Sequence, residues 1–349
     1  MPFRSLRLRR VGNEGFLVAR PEENLHVNRS AEAASPWRLR RRKLRRPRRT
    51  TGKERRWLNP YWGPFKWTER NVDRFAARHV YPHLLGIWHT YCWLLERRFE
   101  VAEATIEPPL WPSDAADLRI LLLSDIHAGA FLKPEVLGSL LGALMDLNPD
   151  VVAVAGDIVE GKTEDLDGFL PALSLLARAP LGAWYCHGNH DYYTCAPERI
   201  RAELGSIGIR TLRNESVILG HRGACVVVGG IDDRILGGPD WEQLVAVNGP
   251  PHLLLAHNPD DFYEAERRRV ALVLSGHTHG GQIRFPKGPP LIRQSKFCLD
   301  EGLYVHGETL LAVSRGVGAV GLPWRAGAHP EAMLLCVRAP RRSGGAPQR

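Results

Sequence analysis

The sequence has few cysteines, and none of them forms a recognisable pair. Six cysteines are scattered over 349 residues without a C-x-x-C spacing, which argues against both a disulfide framework and a cysteine zinc site. Long apolar runs are also missing. The first, within "GFLVAR" (15–20), is far shorter than the roughly 7 to 15 apolar residues of a signal-peptide core. We therefore expect reduced thiols, no signal peptide, no transmembrane helix and a cytoplasmic protein.

Negative charge is scarce at the N-terminus. Residues 1–56 hold 18 Lys and Arg against 5 Asp and Glu, whereas the remaining 293 residues hold 29 against 33. Most of the excess lies in "RLRRRKLRRPRRTTGKERR" (38–56), a block of like charge that repels itself. We expect 1–56 to be a basic, disordered extension. It could bind the anionic surface of a membrane, could bind nucleic acid, or could be a solvated tail, and the sequence leaves these open.

An aromatic-rich helical segment is predicted over residues 57–97. It contains "WLNPYWGPFKW" (57–67), and "HLLGIWHTYCWLLERRF" (83–99) has the spacing of an amphipathic helix. One face of that helix carries four apolar residues: Leu84, Trp88, Tyr91 and Leu95. Two interpretations are open for this helix. It packs on the main domain, or it lies in a membrane interface beside the basic block.

The main domain is predicted over residues 98–338, followed by a loose tail at 339–349. Six short apolar runs indicate buried strands, at 118–124, 150–156, 181–188, 224–230, 252–257 and 270–276. Helices are predicted between the first runs, at 133–147 and 165–178, which gives the domain a βαβα beginning. The class of the domain is therefore α/β.

Polar residues cluster where these predicted strands end. They are Asp125, His127, Asp157, Glu160, Asn189, His190, Asp191, His257, His277 and His279. In open α/β sheets the loops at the carboxyl ends of strands converge, and ligands bind there. We therefore expect these side chains to form one site. His187, His252 and His306, and the pair Asp232 and Asp233, are expected to be ordinary core or turn residues.

The chemistry of the cluster indicates a metal site. Its carboxylates, amide oxygen and imidazoles, without thiolates, suit a divalent ion such as manganese, iron or zinc. Seven residues are candidate metal ligands: Asp125, His127, Asp157, Asn189, His257, His277 and His279. Seven ligands are too many for one tetrahedral ion and are about right for two divalent metal ions that share a carboxylate.

The motif series resembles that of a known superfamily. "SDIHAG", "GDIVEG", "GNHD", "AHNPD" and "SGHTHGGQ" are similar to the D-x-H, G-D, G-N-H-[DE], H and G-H-x-H motifs of the calcineurin-like metallophosphoesterases. "GNHDYY", "SGHTHGGQIR" and "VSRGVGAVGLPWRAG" (313–327) most resemble the bacterial branch typified by YaeI and YkuE. The resemblance implies a four-layer sandwich of two mixed β-sheets flanked by helices.

The resemblance also implies a role for each site residue. One metal ion would bind Asp125, His127 and His279, and the second would bind Asn189, His257 and His277, with Asp157 bridging both. A hydroxide bridging the ions would attack the phosphorus atom. His190 would act as general acid, and either Glu160 or Asp191 would orient it.

The expected function is that of a dinuclear-metal phosphohydrolase that cleaves phosphodiester or pyrophosphate bonds. The preferred substrate is membrane-associated, such as a lipid-linked nucleotide of the UDP-2,3-diacylglucosamine type, because the basic and aromatic N-terminus would hold the enzyme at an anionic membrane surface. A nuclease or cyclic nucleotide phosphodiesterase is the alternative enzyme, with the basic block following phosphates. A non-catalytic scaffold is the alternative of another class. The sequence leaves the oligomeric state open.

Overall fold

A computed structural model of the chain describes residues 87–284 and 289–340, together with two N-terminal strands and the isolated residues 75 and 80. Its α-helices are α1 (Ile87–Arg98), α2 (Pro134–Met145), α3 (Leu170–Leu173), α4 (Asn189–Tyr193), α5 (Pro197–Ser206), α6 (Trp241–Ala246) and α7 (Phe262–Arg267). Its strands are β1 (Arg7–Arg10), β2 (Phe16–Ala19), β3 (Glu100–Ile106), β4 (Leu118–Leu123), β5 (Val151–Ala155), β6 (Ala183–Cys186), β7 (Ile209–Thr211), β8 (Glu215–His221), β9 (Ala224–Gly230), β10 (Leu253–Leu255), β11 (Leu272–Ser275), β12 (Gly302–His306), β13 (Thr309–Val313) and β14 (Glu331–Val337).

Among the described residues, the strands form two mixed sheets of seven strands each. The first sheet has the order β1-β3-β14-β4-β5-β6-β7, and the second has the order β2-β12-β13-β11-β10-β9-β8. Strands β4 to β7 run parallel to one another, and so do β9, β10, β11 and β13. The antiparallel pairs are β14 with β4, β12 with β13 and β8 with β9. All six strands predicted from the apolar runs are therefore present, and both sheets are mixed as expected.

The two sheets pack face to face because their strands are apolar on both sides. In β4, Ile120 and Leu122 face the second sheet, whereas Leu121 and Leu123 face α2 and the short helices beside it. In the second sheet, Leu253 and Leu255 face the first sheet, and Leu254 packs with Phe262 of α7. The layers are thus helices, sheet, sheet and helices, the predicted four-layer sandwich.

The predicted helix at 165–178 is broken into short pieces. Asp167–Phe169 and Ser174–Arg178 are 3-10 turns on either side of α3. Pro171 lies in the first turn of α3, where its missing N–H is tolerated. In the interior of one continuous helix, the same proline would remove a hydrogen bond and clash with the preceding turn.

Helix α1 packs on the sandwich along the predicted apolar face. Tyr91 and Leu95 are fully buried, and the Tyr91 hydroxyl donates to the backbone oxygen of Val317. Leu84 and the side chain of Trp88 lie outside the described residues, as does the aromatic stretch 57–67. The described part of the helix therefore packs on the main domain, as the first of the two interpretations predicts.

The N-terminal 56 residues are not entirely without structure. Strand β1 pairs in parallel with β3, and β2 pairs in parallel with β12, so each forms the edge of one sheet. These two strands depart from the expected disordered extension. The polybasic block 38–56 and residues 341–349 lie outside the described residues. In the part of the chain that the structure describes, no helix has both the length and the apolar character needed to span a membrane.

Candidate metal centre

The polar loops of both sheets meet at one end of the sandwich. Asp125 and His127 follow β4, and Asp157 follows β5. Asn189 begins α4 shortly after β6. From the second sheet, His257 follows β10, and His277 and His279 follow β11. Parallel strands end on the same side of a sheet, so this convergence follows from the strand order.

Three of these side chains form a first ligand group, consisting of Asp125, His127 and His279. Nε2 of His127 lies 3.1 Å from Nε2 of His279 and 4.0 Å from Oδ1 of Asp125. Nε2 of His279 lies 3.5 Å from the same Asp125 oxygen. All three residues are buried, and their ligand atoms lie within 4.8 Å of one another, close enough to bind one metal ion.

A second ligand group, consisting of Asn189, His257 and His277, is centred on His257. Nε2 of His257 lies 3.2 Å from Oδ1 of Asn189 and 3.2 Å from Nδ1 of His277. The same atom is 3.2 Å from Oδ2 of Asp157. The ligand atoms of Asp157, His257 and His277 lie within 4.8 Å of one another, close enough for these three residues to bind one metal ion.

Asp157 lies between the two groups. Its Oδ2 atom is 3.9 Å from Nε2 of His127 and 3.2 Å from Nε2 of His257. Its Oδ1 atom accepts the backbone N–H of His190 at 2.7 Å. One carboxylate therefore faces both ligand groups, which is the arrangement required of a ligand shared by two metal ions.

Burial and neighbouring charge set the protonation of these groups. Burial lowers the pKa of His127, His277 and His279, so that their rings are neutral near pH 7. Burial alone would raise the pKa of Asp157, but His257 and His190 outweigh it and hold that pKa well below the usual range. For His257, burial is outweighed by Asp157, and its pKa rises to about 10. The carboxylate thus stays ionised and attracts positive charge.

Backbone strain is concentrated at the ligands. Five of the seven candidate ligands have a positive φ between 47° and 70°. They are Asp125, His127, Asp157, His277 and His279. This region is unfavourable for residues other than glycine, and such strain persists only where the surrounding structure enforces it. Strained backbone at adjoining ligand positions is characteristic of a functional site.

Two glycines allow the loops to approach the carboxylates. A Cβ atom on Gly188 would collide with the Asp157 side chain, and one on Gly276 would collide with Asp125. Gly276 precedes His277, whose backbone N–H donates to both Asp125 oxygens, at 3.1 and 3.0 Å. These contacts hold the loop after β11 against the loop after β4, so the two sheets are fixed relative to each other at the site.

The donor set fits a pair of divalent metal ions. It consists of buried imidazole nitrogens, carboxylate oxygens and one amide oxygen, converging from five strand ends. Manganese, iron and zinc all accept these donors. Two groups with one carboxylate between them match two neighbouring ions better than a single tetrahedral ion.

Glu160 contacts two histidines, each through a different atom. Its carboxylate lies 3.1 Å from Nδ1 of His127. Its backbone oxygen lies 2.8 Å from Nδ1 of His190. The sequence suggested that the carboxylate would orient His190. In the structure that orientation comes from the Glu160 backbone, and the carboxylate instead supports a candidate metal ligand, leaving Nε2 of His127 free to bind.

Asp191 has different partners from those expected. Its carboxylate accepts backbone N–H groups of Asp157 at 2.9 Å, Ile158 at 2.9 Å, Val159 at 3.4 Å and Gly188 at 2.7 Å. Burial raises the pKa of Asp191 to about 7. These bonds join the loop after β5 to the start of α4, so Asp191 supports the ligand loops and does not orient the His190 ring.

Arg325 is a site residue that the sequence motifs did not identify. Its Nη2 atom lies 2.8 Å from Nδ1 of His279, and its Nη1 atom donates to the backbone oxygen of Arg315 at 2.7 Å. A guanidinium has only donors, so Nδ1 of His279 accepts. A neutral His279 ring then carries its proton on Nε2, and a metal ion binding there would displace it. The motif "GLPWRAG" (321–327) was the available signal, but it did not reveal what Arg325 contacts.

Three polar residues that are not candidate ligands contact groups outside the two ligand groups, as expected. Nδ1 of His252 accepts the backbone N–H of Val227 at 3.0 Å. Nε2 of His187 lies 3.3 Å from the backbone oxygen of Pro197. Asp232 accepts Nε of Arg213 at 3.0 Å. None of these contacts involves the two ligand groups.

Known proteins are similar to this chain. The family model described as calcineurin-like phosphoesterase matches residues 118–281. YkuE of Bacillus subtilis, named an uncharacterized metallophosphoesterase, is 29% identical over 268 residues, covering 75% of this chain and 88% of YkuE. YkoQ of the same bacterium, also named an uncharacterized metallophosphoesterase, is 32% identical over 223 residues, covering 61% of this chain and 81% of YkoQ.

A vertebrate protein is similar over the same region. The zebrafish (Danio rerio) protein named "Transmembrane protein with metallophosphoesterase domain" is 35% identical over 248 residues. The match covers 66% of this chain and 56% of the zebrafish protein, so the chain spans just over half the length of that relative.

Proposed function

Because the chain belongs to the calcineurin-like metallophosphoesterase family, and is thus a metal-dependent phosphoesterase, we propose that it cleaves phosphodiester or pyrophosphate bonds with two metal ions. The observation that carries this proposal is the position of Asp157. It faces both ligand groups, at 3.9 Å from His127 and 3.2 Å from His257. A protein that held a single ion would have no need of the second group.

The two ligand groups define which residues would hold each ion. Asp125, His127 and His279 would bind one ion, and Asn189, His257 and His277 would bind the other, with Asp157 common to both. Divalent ions in such a site lower the pKa of a water molecule and neutralise phosphoryl oxygens. The protein's part is to supply imidazole nitrogens, carboxylate oxygens and one amide oxygen at fixed positions.

His190 is the proposed general acid for the leaving group. Its backbone N–H is held by Asp157 at 2.7 Å, and its Nδ1 is held by the Glu160 backbone oxygen at 2.8 Å. Its ring packs edge-on against His127, with centroids 4.7 Å apart. The ring is therefore fixed beside His127 and Asp157, where it would donate a proton to the leaving oxygen.

The proposed substrate is associated with a membrane, such as a lipid-linked nucleotide of the UDP-2,3-diacylglucosamine type. The support is the composition of the N-terminus, in which the basic block 38–56 is followed by the aromatic segment 57–67. Basic and tryptophan-rich segments together favour the interface of an anionic membrane. The proposed ions are manganese, iron or zinc, since the ligands accept all three.

Metal reconstitution tests the proposal. Protein stripped with a chelator should not hydrolyse bis(p-nitrophenyl) phosphate, and manganese, iron or zinc should restore hydrolysis with two ions bound per chain. Nucleotide diphosphate lipids and cyclic nucleotides, tested in parallel, separate the proposed substrate from the alternative enzymes. Full activity with one ion, or no activity with any ion, would overturn the two-metal proposal.

A further inference from the structure

Exposed apolar side chains are concentrated beside the candidate metal centre. The described part of the chain has ten exposed large apolar residues, and five of them lie in two short segments, 289–298 and 318–326. They are Leu291, Ile292, Phe297, Leu322 and Trp324, each 49% to 68% exposed. Isolated exposed apolar residues are normal, but such a concentration in two adjoining segments indicates an interaction surface.

The two segments are joined through residues 282–284. The backbone N–H of Leu291 donates to the oxygen of Ile283 at 2.9 Å, on one side of this connecting piece. On its other side, Arg284 donates to the oxygen of Ala326 at 2.8 Å, and Ala326 donates to that of Gln282 at 3.0 Å. Segment 282–284 thus has an apolar segment hydrogen-bonded on each side. We call 289–298 and 318–326 together the apolar rim.

The apolar rim adjoins the first ligand group. Gln282 follows His279 by three residues, and its side-chain amide donates to the backbone oxygen of Val320 at 2.8 Å. Arg325 follows Trp324 directly and reaches Nδ1 of His279 at 2.8 Å. The backbone N–H of Gly318 donates to the oxygen of Asp125 at 2.6 Å. The rim is therefore fixed to both loops that carry this ligand group.

The composition of the rim favours a lipid bilayer as its partner. Tryptophan together with leucine and isoleucine is typical of side chains that enter the membrane interface, where Trp prefers the headgroup level. Arg293 and Lys296 are exposed among them, and segment 289–298 has no Asp or Glu. Arg293 is paired with Asp300 at 3.1 Å, whereas Lys296 projects from the surface and suits an anionic headgroup.

We propose that the apolar rim is a membrane-docking surface that inserts Leu322 and Trp324, with Leu291 and Ile292, into the interface of an anionic bilayer. Docking there would bring the metal centre to phosphoesters presented at the membrane. The catalytic consequence of docking rests on the proposed phosphohydrolase function. Membrane binding itself can be measured without turnover. It also differs from binding through the basic N-terminus, because apolar insertion persists when salt screens charge.

Vesicle sedimentation at 0.5 M salt tests the proposal. The full chain should sediment with vesicles of phosphatidylcholine and phosphatidylglycerol. The double variant Leu322→Ser/Trp324→Ser should bind them about tenfold more weakly, because two half-exposed apolar side chains no longer enter the interface. Leu291→Ser/Ile292→Ser should weaken binding in the same way, and this second pair keeps the test valid if the first variant fails to fold.

The matched control is Ile218→Ser/Val247→Ser, which removes two apolar side chains, 57% and 86% exposed, that lie outside the rim. It should bind vesicles like the unmodified protein. Equal binding by all variants would overturn the proposal. A second outcome would also overturn it: the unmodified protein does not bind vesicles but self-associates, and the rim variants abolish this self-association. The rim would then be an interface between two copies of the chain.

Hydrolysis of bis(p-nitrophenyl) phosphate in solution separates the two proposals. All of the variants should hydrolyse this soluble diester within about twofold of the unmodified rate, because none of the four rim residues contacts a candidate ligand. If the unmodified protein binds vesicles through the rim but never hydrolyses the diester, the enzymatic proposal fails and the docking surface stands. If it hydrolyses the diester but needs no rim residue to bind vesicles, the docking proposal fails alone.

Discussion

The two halves of the candidate metal centre are held by different kinds of contact. In the first ligand group, a charged side chain contacts the Nδ1 atom of each histidine. The Glu160 carboxylate lies 3.1 Å from Nδ1 of His127, and the Arg325 guanidinium lies 2.8 Å from Nδ1 of His279. An anion therefore supports one histidine and a cation faces the other, which makes the two rings electronically unlike.

In the second ligand group, the equivalent contact comes from the backbone. Nδ1 of His257 lies 2.8 Å from the oxygen of Ala155 in β5. A backbone carbonyl is neutral and does not change when a side chain is substituted. Side-chain substitutions can therefore alter the contacts to His127 and His279, whereas the contact to His257 is made by the backbone of β5.

The largest expected effect comes from the residue that the two halves share. Asp157→Asn removes a charge that faces His127 and His257 together. We expect hydrolysis of bis(p-nitrophenyl) phosphate to be lost and fewer than two ions to be bound. Elemental analysis combined with initial rates measures both. A purified variant with two ions and substantial activity would show that the halves do not share this ligand.

A smaller effect is expected at His190, which borders both halves and is proposed to transfer a proton. His190→Ala should keep both ions but reduce kcat by about 10² to 10⁴. The reduction should be smaller with a p-nitrophenyl leaving group than with an alkyl one, because a stable anion needs less protonation. Equal reductions for both leaving groups would contradict the general-acid role.

Glu160→Gln should affect one half only. The neutral amide no longer strengthens His127 as a ligand, so one of the two ions should bind about tenfold more weakly while the other is unchanged. Calorimetric metal titration resolves the two affinities. Glu164→Gln is the matched control, since Glu164 is exposed and paired with Arg199 at 3.1 Å, away from both halves. If the affinities for both ions fell equally, the Glu160 contact would not be specific to the first ligand group.

The smallest effect on the site is expected from the basic block. Replacing the Lys and Arg residues of 38–56 by Gln keeps β1 and β2 and leaves both ligand groups unaltered. Activity on a soluble diester should stay within about twofold, while binding to anionic vesicles at low salt should fall. Lost affinity for nucleic acid, without any vesicle binding from the outset, would instead support the nuclease alternative.

Local sequence patterns predicted most of the fold. Each of the six apolar runs within 118–276 contains a strand. Run length and the absence of polar interruptions are properties of the local chain, so they can be read from the sequence. The single helix predicted over 165–178 is wrong, because Pro171 is not tolerated in the interior of a continuous helix and the structure has short helical pieces there. Strands β1 and β2 were not predicted, because short edge strands in a basic segment have no distinctive pattern.

The predicted residues of the candidate site follow from sequence pattern. Each ligand follows a buried strand, and parallel strands end on one side of a sheet, so the list could be made without coordinates. The tertiary structure alone decided how these residues are supported. Glu160 and His127 are 33 residues apart, and Arg325 and His279 are 46 apart. Contacts over such separations depend on how separate loops meet in three dimensions, and local sequence pattern does not encode this. For the same reason only the structure decided that the exposed apolar residues of 289–298 and 318–326 lie beside the metal centre.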